Sequence, residues 1–383
     1  MRRWLGKFLS ILAKGYSMTS RRSFLTAAAS AAALGALASA APAAAAGPLP
    51  INPASKRYRP QGRLGLGGTQ VGSNHVATPA DQAAGVLQAA WDAGVRYFDT
   101  SPWYGLGLSE RRFGVFFDDK PRDEFVLSTK IGRVLTPDAA VAGTKVGNWA
   151  TVPPMRHAYD YSAEGTRRSI EQSLQRLGMS RLDIVFVHDL SPDNADMGDR
   201  WTEYFEQARG GAFRELTRMR DEGLIKAWGL GVNTLPPALR AFEVADPDII
   251  LSATQYSIVK HADALDRLMP VAEKRGASIV VGAPLNDGFL AGGERFNYRP
   301  APPEMRQKRL RIATLAQEHG TDLRSAALHF AMAHPTVSAI IPGARSATQA
   351  VQNVVSVQTP LPAELWAALR RERLIEANAP VPA

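Results

Sequence analysis

Four side chains stand where chemistry would sit. Asp99 closes the apolar run Val95–Phe98, Lys130 closes Phe125–Thr129, and His188 closes Asp183–Val187. Tyr104 follows Asp99 by five residues in Asp-Thr-Ser-Pro-Trp-Tyr-Gly. Singly, each has an ordinary explanation. A strand-end Asp caps the next turn, a Lys is solvated, a His sits on a rim, a Tyr packs. Together, at the ends of adjacent strands, they converge on one rim, and conspicuous loop residues on such a face lean to function. The chemistry such a set supports is proton transfer. A phenol titrates near 10 and is a poor acid or base at neutral pH. A lysine ammonium beside it is expected to favour the phenolate and lower that value. A carboxylate would keep the ammonium charged and aimed, and an imidazole would donate a hydrogen bond to a substrate oxygen.

These residues need a frame, and the chain supplies one in alternation. Arg63–Val71 reads as a first strand, and Pro79–Ala93 as a helix with Pro at its start and Gly94 past its end. Val95–Asp99 is a strand, Leu108–Phe117 a short helix, and Phe125–Lys130 a strand. Ser162–Leu177 is a helix closed by Gly178, Leu182–His188 a strand, and Ala208–Glu222 a helix closed by Gly223. Lys226–Val232, Ile249–Gln255, Ser278–Ala283 and Ser338–Ile341 supply four more strands. The strand centres, such as Ile184-Val185-Phe186-Val187, are continuously apolar. Strands buried on both faces of a parallel sheet read this way. Eight βα units in about 300 residues predict an α/β fold, a (β/α)8 TIM barrel. A doubly wound open sheet is second, because no G-x-G-x-x-G enters a first helix. Two segments exceed short βα loops: 131–161 after the third strand and 285–305 after the seventh. On a barrel both lie on the C-terminal face, where sites are built.

The remainder of the chain sets limits. Its composition, 45% hydrophobic and 21% charged, is that of a globular protein. The absence of Cys excludes disulfides, thiolate metal ligands and a cysteine nucleophile. Residues 1–46 hold six basic side chains and no acid; without them 39 basic face 36 acidic side chains, so no nucleic-acid partner is expected. Those 46 residues read as a cleaved export signal: Arg21-Arg22-Ser23-Phe24-Leu25, an Ala-rich weakly apolar run, then Ala44-Ala45-Ala46. The paired Arg resembles a twin-arginine signal. The expected organisation is therefore signal 1–46, linker 47–60, barrel 61–375 and tail 376–383, in a periplasmic protein exported folded by the twin-arginine machinery, without a membrane anchor after cleavage.

Asp99-x4-Tyr104, Lys130 and His188 on strands two, three and four resemble the tetrad of the aldo-keto reductases. Ile341-Pro342-Gly343-Ala344-Arg345-Ser346, continuing to Asn353, resembles that family's adenine-phosphate segment. The stretch from Asp99 to Gly114 and His188-Asp189-Leu190 are similar to the branch that oxidises aldoses at C1. The resemblance implies an NAD(P)-dependent oxidoreductase acting on a sugar or small carbonyl, with Tyr104 passing the proton and no metal. It also implies that Gly68, Thr69, Asn233, Gln255 and Leu285 lie near the nicotinamide, and Gly343, Arg345, Gln349 and Asn353 near the phosphates. Asn233 as a helix cap and Gln255 as a partner of buried backbone stay open. Arg345 favours NADP by pairing with a 2′-phosphate. Gln349 stands where many members carry Arg, which leaves NAD open. No aromatic follows the seventh strand at Gly282-Ala283-Pro284-Leu285, so ring stacking must come from elsewhere. Trp103, Trp149 and Tyr159 are expected to contact the substrate, with lid packing as the alternative. Two competing classes are an exported nucleotide-binding sensor with little turnover and a barrel hydrolase. The second needs paired carboxylates that Asp99, as partner of Lys130, does not supply.

Overall fold

The structure, a computed structural model, describes residues 47–382. The export signal expected at 1–46 lies outside the described residues. In chain order the strands are β1 (Gly65–Gly67), β2 (Tyr97–Asp99), β3 (Val126–Ile131), β4 (Arg133–Pro137), β5 (Met155–Tyr159), β6 (Ile184–His188), β7 (Ala227–Val232), β8 (Ile249–Ala253), β9 (Ser278–Gly282), β10 (Arg295–Phe296), β11 (Arg299–Pro300) and β12 (Val337–Ile341). The α-helices are α1 (Ala80–Asp92), α2 (Leu108–Phe117), α3 (Ala163–Leu177), α4 (Trp201–Gly210), α5 (Ala212–Asp221), α6 (Leu235–Val244), α7 (Met269–Lys274), α8 (Pro303–Glu318), α9 (Leu323–Ala333), α10 (Ala347–Gln358) and α11 (Ala363–Arg371). Eight strands pair in the order β1-β2-β3-β6-β7-β8-β9-β12, and their pairings are parallel. Bridges from Leu64 to Ile340 and from Gly67 to Gly343 join the two edges. The result is the (β/α)8 barrel.

Strand periodicity divides the core in two and aims the polar strand ends. In β6, Ile184 and Phe186 join an interior cluster with Tyr97, Ile249, Leu251 and Ile341, while Val185 and Val187 pack outward under the helices. The same period of two continues to His188, Lys130 and Asp99, which therefore point inward on the layer above. The register fixes their neighbours: Asp99 lies opposite Ser128, Lys130 opposite Phe186, and His188 opposite Gly231.

Several boundaries differ from expectation. The first strand stops at Gly67 rather than Val71, because the Gly68 amide donates to Asp99 O (2.8 Å) and the chain then turns. The helix expected over 208–222 is two helices broken at Gly211. A Cβ there would meet Tyr161 O at 2.7 Å, so the close crossing of the chain admits only glycine. The sixth barrel strand, β8, ends at Ala253 rather than Gln255, because Thr254 takes a φ of 63°. Ser162 caps α3 through the Gly165 amide, and Gly178 ends it at φ 64°, as the sequence signals predict.

Both long connections carry structure. Segment 131–161 is the hairpin β4–β5, and 285–305 carries the small hairpin β10–β11. The segment expected as a linker, 47–60, instead packs on the barrel: Arg57 pairs with Asp246 and Asp248, and Tyr58 packs against the interior cluster. The tail does likewise, with Ala379 buried and its carbonyl bound by Arg370. Among the described residues no helix is long and apolar enough to cross a membrane.

Candidate active site

The strand ends bring the four expected residues together. Lys130 Nζ donates to Asp99 Oδ2 at 2.7 Å and to Thr100 O at 2.8 Å, and the other Asp99 oxygen accepts from Ser128 Oγ at 2.7 Å. Lys130 and Asp99 are each 1% exposed, so their charges are met almost wholly by protein. Lys130 Nζ lies 4.6 Å from the centre of the Tyr104 ring, and the His188 ring sits edge-on to it at 5.8 Å.

The electrostatics depart from expectation at Tyr104. Burial first, and then the Asp99 charge, push its phenol well above the ordinary value of 10.0; the Arg133 guanidinium pulls the other way. The Lys130 protons are directed at Asp99 and Thr100, so the ammonium does not offset the combined effect of burial and the Asp99 charge. Burial pushes the Lys130 ammonium down and the Asp99 carboxyl up, each opposed by the other. Burial, then Arg133 and Lys130, hold His188 well below 6.5, so its imidazole is neutral.

A cavity of about 400 Å³ opens beside Asp99 and Tyr104 and runs to Arg345, Gln349 and Asn353 at the start of α10. Thr69, Leu285 and Gly343 line its walls. Asn353 Nδ2 donates to Gly343 O (3.3 Å), and the Arg345 amide donates to Gln349 Oε1 (2.8 Å). Gln349 thus folds back on the turn, while Ser346 Oγ caps α10 by accepting from the Gln349 amide. Among the described residues the Arg345 guanidinium has no carboxylate within ion-pair distance.

Other expected contacts fall elsewhere. Gly68 is a packing residue: a Cβ would meet Asp99 O at 2.7 Å and Ser109 Oγ at 2.8 Å. Asn233 and Gln255, like Lys130 and His188, do not themselves line the cavity. Asn233 Nδ2 donates to Asp193, and it is Thr234 that precedes α6. Gln255 donates to Asn233 O and accepts from Lys260, which is the backbone role left open for it. Trp149 is 1% exposed and packs with Leu106, Leu135 and Val152, its ring 5.6 Å from that of Tyr104. Trp103 and Tyr159 flank the Arg133 guanidinium at 4.6 and 4.9 Å from their ring centres.

The structure adds residues that sequence reasoning passed over. Arg133, Ser101 and Asp189 surround His188. Arg324 lines the cavity with Arg345, its Nη1 donating to Gln352 Oε1. Gln70 lines it too, with its buried Oε1 unpartnered among the described residues. Tyr298 stands at the cavity wall on the β10–β11 turn, where Asn297 and Tyr298 take φ values of 49° and 64°. Positive φ at both residues is what a two-residue hairpin turn of this kind requires. Asn297 and Arg324 had no signal in the sequence beyond residue type.

A profile described as the Aldo/keto reductase family matches residues 63–372. D-threo-aldose 1-dehydrogenase of Pseudomonas sp is 37% identical over 320 residues, spanning 82% of this chain and 94% of that protein. Pyridoxal 4-dehydrogenase of Microbacterium luteolum is also 37% identical, over 325 residues, with the same coverage. Among solved structures, an aldo-keto reductase from Bacillus halodurans aligns with a TM-score of 0.60 at 23% identity, over 86% of this chain and 97% of that one. That likeness speaks for the fold.

Proposed function

The chain belongs to the aldo/keto reductase family, whose members use nicotinamide cofactors, and on that premise we propose that it moves hydride between NADP(H) or NAD(H) and C1 of an aldose or a small aldehyde or alcohol. One observation carries the reading. Asp99 and Tyr104 line one end of a single cavity, with Lys130 and His188 packed against them, and Arg324, Arg345 and the first turn of α10 line the other end. The cavity suits a long anionic nucleotide on three counts. A helix start and cations favour phosphate. Gln70 offers a buried acceptor that still lacks a donor. The walls at Ala253, Pro284 and Leu285 are apolar.

When bound, the nicotinamide supplies or takes the hydride. The remaining work belongs to this chain's side chains. Tyr104 gives its hydroxyl proton to the forming alkoxide in reduction, and accepts the substrate hydroxyl proton in oxidation. The Lys130–Asp99 pair holds a cation under the Tyr104 ring, which steadies the phenolate while it lacks its proton. Neutral His188 donates to the same substrate oxygen. Arg324 and Arg345, without carboxylate partners among the described residues, favour a cofactor with an additional phosphate, hence NADP. The two relatives at 37% identity are named for an aldose and for pyridoxal, so the substrate panel has to include both kinds of hydroxyl.

Replacing Tyr104 by Phe is expected to lower kcat by about 10²–10⁴-fold while leaving nucleotide affinity unchanged, as read by turnover and by quenching of NADPH fluorescence. Retained turnover would refute the proton assignment. Titration with NADPH and NADH tests the cofactor: NADPH is expected to bind at least about tenfold tighter, and Arg345→Leu to erase that margin. Equal affinities would return NAD to first place. We further propose that the protein is exported folded with its nucleotide already in place, because a periplasmic enzyme has no free pool to draw on. Nucleotide content of protein isolated from the periplasm decides this; apo protein that binds weakly ends it.

A further inference from the structure

The surroundings of His188 are asymmetric, and the asymmetry carries information about where its proton sits. Its Nδ1 lies 3.1 Å from Ser101 Oγ and 3.4 Å from Arg133 Nη1. A guanidinium has protons and no acceptor, so the ring nitrogen that faces it has to be bare. Ser101 agrees. Its oxygen already accepts from the Trp103 amide at 3.1 Å, which leaves its own proton free for Nδ1. On the other side of the ring, Nε2 lies 3.5 Å from Asp189 Oδ1. Asp189 in turn holds Arg133 Nη2 through its second oxygen at 3.0 Å. The Arg133–Asp189 pair therefore brackets the imidazole, with donors on Nδ1 and, on the other side, a carboxylate that makes no hydrogen bond to Nε2 and leaves the proton there available to a substrate oxygen.

The fold spends strain and burial to make this bracket. Gly132, at φ 106°, turns the chain from β3 into β4 where any Cβ would strike the Tyr161 ring at 2.2 Å, and the next residue, Arg133, is thereby turned inward. Arg133 is 3% exposed, sits between the Trp103 and Tyr159 rings, and keeps a buried Nε with no partner among the described residues. A buried orphan donor costs about 1–3 kcal/mol, a cost that a merely structural side chain would shed by becoming apolar. Asp189 takes a φ of 47°, outside the comfortable range for a residue with a Cβ.

We propose that Arg133, seconded by Asp189, is the positioning residue that fixes His188 as the neutral tautomer with its proton on Nε2, the nitrogen that hydrogen-bonds the substrate oxygen. The inference rests on the reading of His188 as that donor. The charged and titratable groups facing the ring are Arg133 from β4, Lys130 from β3, Asp189 beside it in sequence and Tyr104 from the loop after β2. Two cations on the Nδ1 side and within the barrel oppose a second proton, so the ring stays neutral through the pH range where an ordinary histidine titrates.

The tautomer can be read directly. Long-range proton–nitrogen NMR spectra of protein labelled with 15N-histidine distinguish a bare from a protonated ring nitrogen, and a His188→Gln variant assigns the signal among the seven histidines of the chain. The unaltered protein is expected to show a bare Nδ1 and a protonated Nε2 for His188 from about pH 5.5 to 8. Arg133→Met is expected to release Nδ1, giving a mixture of tautomers or an imidazolium near neutral pH, with kcat lowered about ten- to a hundredfold and NADPH affinity unchanged. Arg133→Lys, which keeps a cationic donor, is expected to restore the single tautomer. A proton on Nδ1 in the unaltered protein overturns the proposal without any variant, and so does an unaltered tautomer in Arg133→Met. Because these spectra need neither substrate nor turnover, loss of the proposed function would appear separately, as failure to bind nucleotide or to oxidise any sugar or alcohol.

Discussion

A phenol held under a buried ammonium behaves differently from a phenol in water, and so does a histidine ringed by cations. With Tyr104 raised by burial and Asp99, and His188 lowered by burial, Arg133 and Lys130, neither changes charge between about pH 6 and 9. In the reductive direction the proton donor stays loaded across that range, so kcat/KM is expected to be flat, with no inflection near 6.5. In the oxidative direction the phenolate is the reactive form, so the rate is expected to climb with pH over the same interval. A pH series of kcat/KM in both directions checks this, and a histidine-like step near 6.5 in reduction would contradict it. The tetrad was legible because a lone polar residue at the end of an apolar run is conspicuous, and because a period of two carries it inward. Arg133 was not. A basic residue opening a loop looks solvated, and only the backbone of Gly132 turns it in. Asn233 and Gln255 satisfy the same strand-end logic as His188, yet Asn233 is engaged by Asp193, 40 residues away in sequence, and Gln255 by Lys260 in the loop that follows it.

Elements are held in register by buried charge as well as by apolar packing. Glu215 of α5 is 4% exposed and receives Arg167 from α3 and Arg218 from its own helix, at 2.8 and 2.6 Å. These hydrogen bonds pull its carboxyl down to about 2 from the ordinary 4.5. The folded value lies below the unfolded one, so the stabilisation is fully present above pH 4.5 and is lost as pH falls towards 2. The two arginines are nearly half exposed, which screens the pair and reduces its worth to about 1–2 kcal/mol. Glu215→Gln is expected to lower stability by that amount at pH 7 and to flatten its decline between pH 4.5 and 2, measured by urea unfolding at each pH. An equal deficit at both ends of that range would mean that packing, not charge, is what the substitution removed. The alternation of strands and helices was readable from runs and stop signals such as Gly178. The break at Gly211 was not, because its cause is the Tyr161 carbonyl crossing from another part of the chain. Hairpin β4–β5 was hidden for a similar reason: its strands are separated by 17 residues (138–154) whose own pattern is irregular.

At the scale of the whole barrel, the two ends do different work, and the segment before the first strand shows it. Barrels of this kind place chemistry at the C-terminal ends of the strands and leave the N-terminal ends to stability. Residues 47–62 lie at the second of these. Asn52 Nδ2 binds Pro60 O and Ser338 O at 2.6 and 2.7 Å, the Arg63 amide binds Pro50 O at 2.9 Å, and Tyr58 lies against interior residues such as Tyr97 and Ile184. The segment packs across that end of the core. Tyr58→Ala is therefore expected to lower stability by about 2 kcal/mol, less than a fully buried ring because Tyr58 is only half-buried, while leaving kcat and nucleotide affinity unchanged. The same anatomy constrains processing. A cleavage in Ala44-Ala45-Ala46 leaves every one of these contacts intact, whereas a mature chain beginning beyond Asn52 would lose the Ser338 tether and the Pro50 carbonyl together. Under the export proposed above, mass spectrometry of protein recovered from the periplasm is expected to place its first residue before Pro50. A stable, active protein starting after Arg59 would show that the barrel does not need this closure.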